Sequence, residues 1–177
     1  MQDGTTQRRG TGRAAWLAAA LGILALWVGA PSSASAGSSR PGGEVTCLAQ
    51  AIYWEARGEP RSGQLAVGHV VMNRTRTAQF PAGVCAVVHQ RIAGHCQFGF
   101  SCDGRKDTPG PSAAWRGSLA LAQAIYAGRT ADPTHGALWF QHASVRWVAD
   151  VRRTVRIGQH AFYAPRTLPR GQEAQLR

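Results

Sequence analysis

Ile52-Tyr-Trp-Glu-Ala-Arg-Gly-Glu-Pro-Arg-Ser-Gly-Gln64 lies between two apolar helical runs, and its reading decides how the chain folds. Upstream, Val45, Leu48, Ala49, Ile52 and Ala56 recur at i, i+3, i+4, i+7 and i+11, one face of a helix. Gly58 stops that helix, and Glu59, which precedes Pro60, is disfavoured in the helical region. The first helix is therefore predicted to start near Glu44–Thr46 and to end at Gly58. A second is predicted from Ser62, read as its N-cap, to about Arg76. Its centre, Leu65-Ala-Val-Gly-His-Val-Val-Met72, is apolar almost all round. Periodicity alone leaves a strand open there, but a length of about fifteen residues favours a buried helix.

The stop leaves two carboxylates, Glu55 and Glu59, four residues apart. On a helical wheel Glu55 falls about 60° from Ile52, at the edge of the apolar stripe. That edge is partly buried, and it lies in the last helical turn, where the macrodipole disfavours negative charge. Tyr53 and Trp54 add apolar bulk. Each factor disfavours the carboxylate, and a carboxyl group that holds its proton near neutral pH is what a general acid requires. The competing reading is a local cap or salt bridge. Glu59 is beyond the stop and reads either as the second carboxylate of a glycosidase pair or as a charge ahead of the second helix, favoured by that helix's dipole.

Downstream, Pro81 opens a short helix containing Val84, Val87 and Val88. From about Ile92 to Pro111 glycines and prolines interrupt every period, which predicts a long loop. Phe98, Phe100 and two cysteines argue that this loop is ordered. Ser112 is the predicted cap of a helix that lines Trp115, Leu119, Ala122, Ile125 and Tyr126 on one face and ends at Gly128. Ala137 to His142 reads as a short extended segment. Thr154 to Tyr163 reads as a hairpin with Gly158-Gln159 at its turn. The fold class is α+β, mainly helical, with a small β-hairpin or sheet near the C-terminus.

The 177 residues suggest one domain, and their formal net charge of +11 favours anionic partners. All the basic residues except Lys106 are arginines. Arg8, Arg9 and Arg13 precede the uncharged apolar run Ala14 to Ala30 and the small-x-small site Ala34-Ser35-Ala36. This pattern predicts a signal peptide over residues 1–36 and an exported protein, in the periplasm, the cell envelope or outside the cell. An uncleaved anchor is the alternative, and the only membrane contact expected. A flexible leader is expected over 37–43, the functional domain over 44–165 and a polar tail over 166–177.

Export makes Cys47, Cys85, Cys96 and Cys102 candidates for two disulfides. Three pairings are open; Cys96 with Cys102, leaving Cys47 with Cys85, is favoured because it closes a short loop. A zinc site built from all four is the rival, weakened by the absence of a CxxC pair. The six histidines form no HExxH, there is no GxSxG, and the glycine-rich loop lacks a phosphate-cradling pattern. Neither a metal nor a cofactor is expected. Arginines and aromatics interleave between Trp139 and Arg156, which would suit nucleic acid, but a sheet face with basic edges is the preferred reading for an exported chain.

Several stretches together resemble the cell wall hydrolases related to the spore cortex-lytic enzyme SleB. They are Ala51-Ile-Tyr-Trp-Glu-Ala-Arg-Gly-Glu-Pro60 with Gly63-Gln64, Ala66-Val-Gly-His-Val-Val-Met-Asn-Arg74, Phe80-Pro81 with Val84-Cys85, Cys96-Gln-Phe-Gly-Phe-Ser-Cys-Asp-Gly104, and Thr154-Val-Arg-Ile-Gly-Gln-His-Ala-Phe-Tyr163. The resemblance implies a lysozyme-like fold and cleavage of peptidoglycan glycan strands between N-acetylmuramic acid and N-acetylglucosamine. It further implies a lytic transglycosylase mechanism in which Glu55 is the acid and the muramic acid 6-hydroxyl attacks to give a 1,6-anhydro product. It places Glu59, Gln97, Phe98, Asp103 and His142 against the substrate. The family's His-rich segment and Pro-Trp pair are replaced here by the sequence Trp139 to Trp147, and no peptidoglycan-binding repeat precedes the domain, so the spore setting is not carried over. The alternatives are a hydrolytic muramidase in which Glu59 or Asp103 is a second carboxylate, and a non-catalytic peptidoglycan-binding protein. The basic surface suits anionic cell-envelope polymers as further partners.

Overall fold

A computed structural model describes residues 41–146 and 150–166. The expected signal peptide, residues 37–40 of the expected leader, nearly all of the tail, and Trp147 lie outside the described residues. Helix α1 (Pro41–Ala56) is followed by α2 (Arg61–Thr75), α3 (Val84–Val88), the two-residue strands β1 (Arg91–Ile92) and β2 (His95–Cys96), a 3-10 turn (Gly99–Cys102) and α4 (Ala113–Tyr126). Strands β3 (Trp139–His142), β4 (Val151–Ile157) and β5 (His160–Pro165) close the chain. They form an antiparallel sheet in the order β3-β5-β4. Among the described residues no helix is long and apolar enough to cross a membrane.

Helix α1 begins at Pro41, earlier than its apolar periodicity indicates, because proline and two glycines are tolerated in a first turn that has no hydrogen bonds to lose. Glu44 in that turn is only 8% exposed. Its carboxylate accepts the backbone N–H groups of Val84 and Cys85, which open α3. The Cys47–Cys85 disulfide joins the same two helices. The second disulfide, Cys96–Cys102, closes the tip of the long loop, so the favoured pairing is the one present.

Ser62 does not cap α2. The N-cap is Pro60, whose carbonyl accepts the N–H groups of Gly63 and Gln64 at 2.8 and 3.0 Å. Helix α2 runs through the middle of the domain and is buried from Ala66 to Arg74. Val71 and Met72 face a core shared with Leu48, Ile52, Val87, Phe98, Phe100, Leu121 and Ile125. Ala66, Val67 and Val70 face a second core with Ala56, Ala137 and Phe162. An apolar sequence without a polar face follows directly from having partners on both sides.

The expected cap and turn are both seen. Ser112 Oγ accepts the Trp115 N–H at 3.0 Å. Gly158 has φ +58° at the β4–β5 turn, a conformation glycine adopts without strain. The long loop is tied back to α1 by Trp54 Nε1, which donates to the Asp107 carbonyl at 2.7 Å, and by Gln50 Nε2, which donates to Thr108 Oγ1 at 3.1 Å.

One contact was not legible from spacing. Asn73 Nδ2 donates to Asp132 Oδ2 at 2.8 Å and to the Ala137 carbonyl at 3.1 Å, and Arg74 Nε donates to the Leu138 carbonyl at 2.7 Å. These bonds fasten the start of β3 to the end of α2. Burial acts to raise the Asp132 carboxyl, but hydrogen bonds from Thr134, Asn73 and Gly136 outweigh it and hold it below the ordinary carboxylate range.

Gly68 marks where the helices cross most closely. A Cβ at this position would lie 2.5 Å from Ile125 Cδ1 and 3.1 Å from Ile52 Cδ1. Alanine gains about 1 kcal/mol over glycine in a helix interior, but a forced contact in a packed core costs about 1–3 kcal/mol. Gly68→Ala is therefore expected to lower stability, read as a lower urea midpoint with an unchanged m-value; a midpoint at or above wild type would show that the crossing has slack.

Candidate active site

The helix stop places Glu55 in the last turn of α1, one residue before its end. It is half-buried. Burial raises its carboxyl above the ordinary value of 4.5. The helix C-terminus disfavours the charge in the same direction. Among the described residues no hydrogen-bond donor and no cation is paired with it.

Aromatic rings cluster along this end of α1. Tyr53 meets Trp54 edge to face at 4.9 Å and Trp115 of α4 at 6.0 Å between ring centroids. Trp54 stacks on Phe100. Arg57, the cation nearest in sequence, lies over the Tyr53 and Trp54 rings, with Cζ 5.0 and 5.2 Å from their centroids. Its charge is thus directed at π faces rather than at the carboxylate. Tyr53 and Trp115 were not singled out as site residues by sequence; their partnership joins α1 to α4 and has no local signature.

The second carboxylate is committed elsewhere. Glu59 Oε2 accepts the backbone N–H of Gln159, at the β4–β5 turn, at 2.9 Å. His142 ends β3 and is exposed. Its Nδ1 accepts the Ser144 N–H at 3.3 Å and contacts Ser144 Oγ at 2.6 Å, so Nε2 carries the proton, donated to Gln159 Oε1 at 3.2 Å. Gln159 therefore brings Glu59 and His142 together. Asp103 is exposed, and its Oδ1 accepts the Arg105 N–H at 2.8 Å, a local turn. Gln97 is half-buried beside β2, its N–H donated to the Gln90 carbonyl at 3.0 Å. No hydrogen bond or ion pair joins Gln97 or Asp103 to Glu55.

Phe98 corrects the expectation of a substrate contact. It is 1% exposed and packs against Phe100 and Phe140 beneath the Arg74 guanidinium. The resemblance sets Phe98 against the substrate, but here it is the loop's anchor in the core. Beyond His142, Ala143, Ser144, Val145, Arg146, Arg153 and Tyr163 line a depression of about 480 Å³ whose charged groups are both arginines. Among the described residues no three His, Cys, Asp or Glu side chains converge on a point that would hold a metal ion.

A profile of the cell wall hydrolase family matches residues 58–163. The chain is 33% identical over 132 residues to the spore cortex-lytic enzyme of Bacillus subtilis, covering 71% of this chain and 40% of that one. It is 32% identical over 122 residues to the enzyme of the same description from Halalkalibacterium halodurans, covering 67% and 34%. The match thus spans well under half of these relatives' length. Among solved structures, the catalytic domain of Bacillus cereus SleB superposes with a TM-score of 0.56 at 27% identity, over 72% of this chain and 94% of that domain. The catalytic domain of a germination-specific lytic transglycosylase, SleB of Bacillus anthracis, gives 0.55 at 28%, over 73% and 98%. The α+β, lysozyme-like fold is the one expected.

The raised Glu55 carboxyl has a thermodynamic consequence. The folded protein holds the Glu55 proton to higher pH than the unfolded chain does, so the stabilising contribution is greatest at low pH and is lost as pH rises from about 4.5 through the raised value. At pH 7 a neutral amide avoids that loss. Glu55→Gln is expected to unfold at higher urea than wild type at pH 7, with the gap closing by pH 4; equal midpoints at both pH values would show that the site does not disfavour the charge.

Proposed function

The chain belongs to the cell wall hydrolase family, and from that premise we propose that it cleaves peptidoglycan glycan strands with Glu55 as general acid and then base. The carrying observation is a half-buried carboxyl in the last turn of α1 that burial raises above its ordinary range, unpaired among the described residues. Such a group can give its proton to a glycosidic oxygen near neutral pH.

The bond cut joins C1 of N-acetylmuramic acid to the 4-oxygen of N-acetylglucosamine. Glu55 protonates that oxygen as the bond breaks. The muramic acid 6-hydroxyl then attacks C1, and the Glu55 carboxylate takes its proton, so C1–O6 replaces C1–O4 and no water is consumed. Two observations favour this over hydrolysis by two carboxylates. Glu59 is held by the Gln159 N–H and Asp103 by the Arg105 N–H. A relative in fold is, by its own description, a lytic transglycosylase. Gln97, Asp103 and His142 remain the polar groups proposed to meet the sugar, while Phe98 supports the loop from below.

The disulfides Cys47–Cys85 and Cys96–Cys102 favour an oxidising compartment, so the proposed place of action is outside the cytoplasm. A net charge of +11 carried almost wholly by arginine suits a polyanionic wall.

Purified protein is expected to release muropeptides from sacculi whose masses are one water below the reducing-end products. Glu55→Gln should reduce that release by roughly 10²–10⁴-fold while binding to sacculi is kept. Full-mass products would establish hydrolysis instead, and an active Glu55→Gln would remove Glu55 from the chemistry. Co-sedimentation with sacculi without any release would leave a binding protein.

A further inference from the structure

Glu59 follows Glu55 by one turn's worth of sequence, yet its carboxylate reaches a residue a hundred positions away. Oε2 accepts the Gln159 N–H at 2.9 Å. The glutamate's own N–H is donated to the Ala56 carbonyl at 2.9 Å, and its carbonyl accepts Gln64 Nε2 at 3.0 Å. The residue is thus fixed at both ends of the peptide unit before its side chain is placed.

The seat for that side chain is made by two glycines. A Cβ at position 158 would lie 1.9 Å from Glu59 Oε2, and one at position 63 would lie 3.0 Å from Glu59 Cβ. Only bare backbone leaves room for the carboxylate between the start of α2 and the hairpin turn. Among the described residues no ion pair holds it there. His160, on β5, is held below its ordinary range first by burial and further by His142, with Glu59 opposing, so it is neutral at neutral pH. The hydrogen bond to the turn is the connection.

From Gln159 the connection continues to His142, whose Nε2 donates to Gln159 Oε1, and on to Ser144. A line of bonds therefore runs from the turn after Glu55, through the β4–β5 tip, to the exposed end of β3. We propose that Glu59 is a positioning residue, a latch whose carboxylate oxygen holds the β4–β5 turn, and with it His142, in register with the helix end that carries Glu55. The inference rests on the general-acid reading of Glu55. It gives the second glutamate a task that needs an acceptor oxygen, not a negative charge or a proton.

That distinction is measurable. Glu59→Gln keeps an acceptor; Glu59→Ala does not. The expected results are a kcat for Glu59→Gln within about threefold of wild type on soluble glycan strands, and a fall of at least tenfold in kcat for Glu59→Ala with KM changed less than twofold. A small misplacement of the acid costs the transition state more than the bound substrate. Hydrogen exchange of the Gln159 amide should remain slow in Glu59→Gln and become fast in Glu59→Ala. Gly158→Ala, which fills the seat, should mimic Glu59→Ala and lower kcat less than twofold further when the two are combined. Loss of activity in folded Glu59→Gln equal to that in Glu59→Ala would overturn the proposal in favour of a carboxylate that does chemistry. Wild-type kcat in Glu59→Ala would overturn it as well. Should Glu59→Ala not fold, the Glu59→Gln rate and its Gln159 exchange decide alone. Full activity in Glu55→Gln would sink the general-acid reading instead, whatever the latch variants do.

Discussion

The break at Gly58-Glu59-Pro60 is the constraint on which the remaining structure depends. Pro60 cannot donate to a helix, and the residue before it avoids helical dihedrals. Helix α1 therefore ends at Ala56, and α2 starts at Arg61 with no side-chain cap. Four residues leave no room for a wandering connection, so the two helices pack against each other. One consequence is chemical: the last turn of a buried helix is exposed just enough to present Glu55. The other is architectural: α2 enters the interior with a core on each side, and the sheet has a surface to pack on.

That interior is not wholly apolar. Arg74 is 5% exposed and has its Nη1 without a hydrogen-bond partner. Burial lowers it to about 10, so it is still charged at neutral pH. Among the described residues no carboxylate pairs with it; Phe80 and Phe98 face its guanidinium at 5.2 and 5.5 Å, and the Leu138 carbonyl takes its Nε–H. A leucine here would avoid the cost of desolvating a cation but could not hold a strand carbonyl. With Asn73 and Asp132, this arginine converts a polar loop into the first strand of the sheet, which places His142.

Local signals were legible in sequence where a single residue or a short period sets the outcome. The stripe of Leu48, Ile52 and Ala56 marked α1, Ser112 marked the start of α4, and Gly158 marked a turn. The favoured disulfide pairing followed from loop length. The position of Glu55 at the edge of a stripe was enough to place it half-buried with a raised carboxyl. What spacing did not reveal depends on partners far along the chain. Glu59 reads as a charge ahead of α2 or as a second acid until Gln159 is seen beside it. Phe98 reads as an ordering residue of the long loop, set against the substrate by the resemblance, until Phe140 and Arg74 are seen to close over it. Pro41 looks like leader because nothing local shows that Glu44 is to be buried against α3. In each case the deciding energy comes from a contact that a window of ten or fifteen residues does not contain.

The electrostatics of the site turn on the same separation of roles. In a chain with 20 basic and 9 acidic residues, the default expectation for any carboxyl is a nearby cation and a depressed pKa. Glu55 goes the other way because burial desolvates it and the nearby cation is occupied. Arg57, two residues on, points to a different face of the helix and lies over Tyr53 and Trp54. A unit charge brought within 4 Å at an effective dielectric of about 20 would favour the carboxylate by about 4 kcal/mol, in opposition to the effect of burial. Keeping that cation on the rings is therefore as much a part of the acid as the carboxyl itself. Tyr53 and Trp54 hold the charge that would otherwise favour the ionised carboxylate.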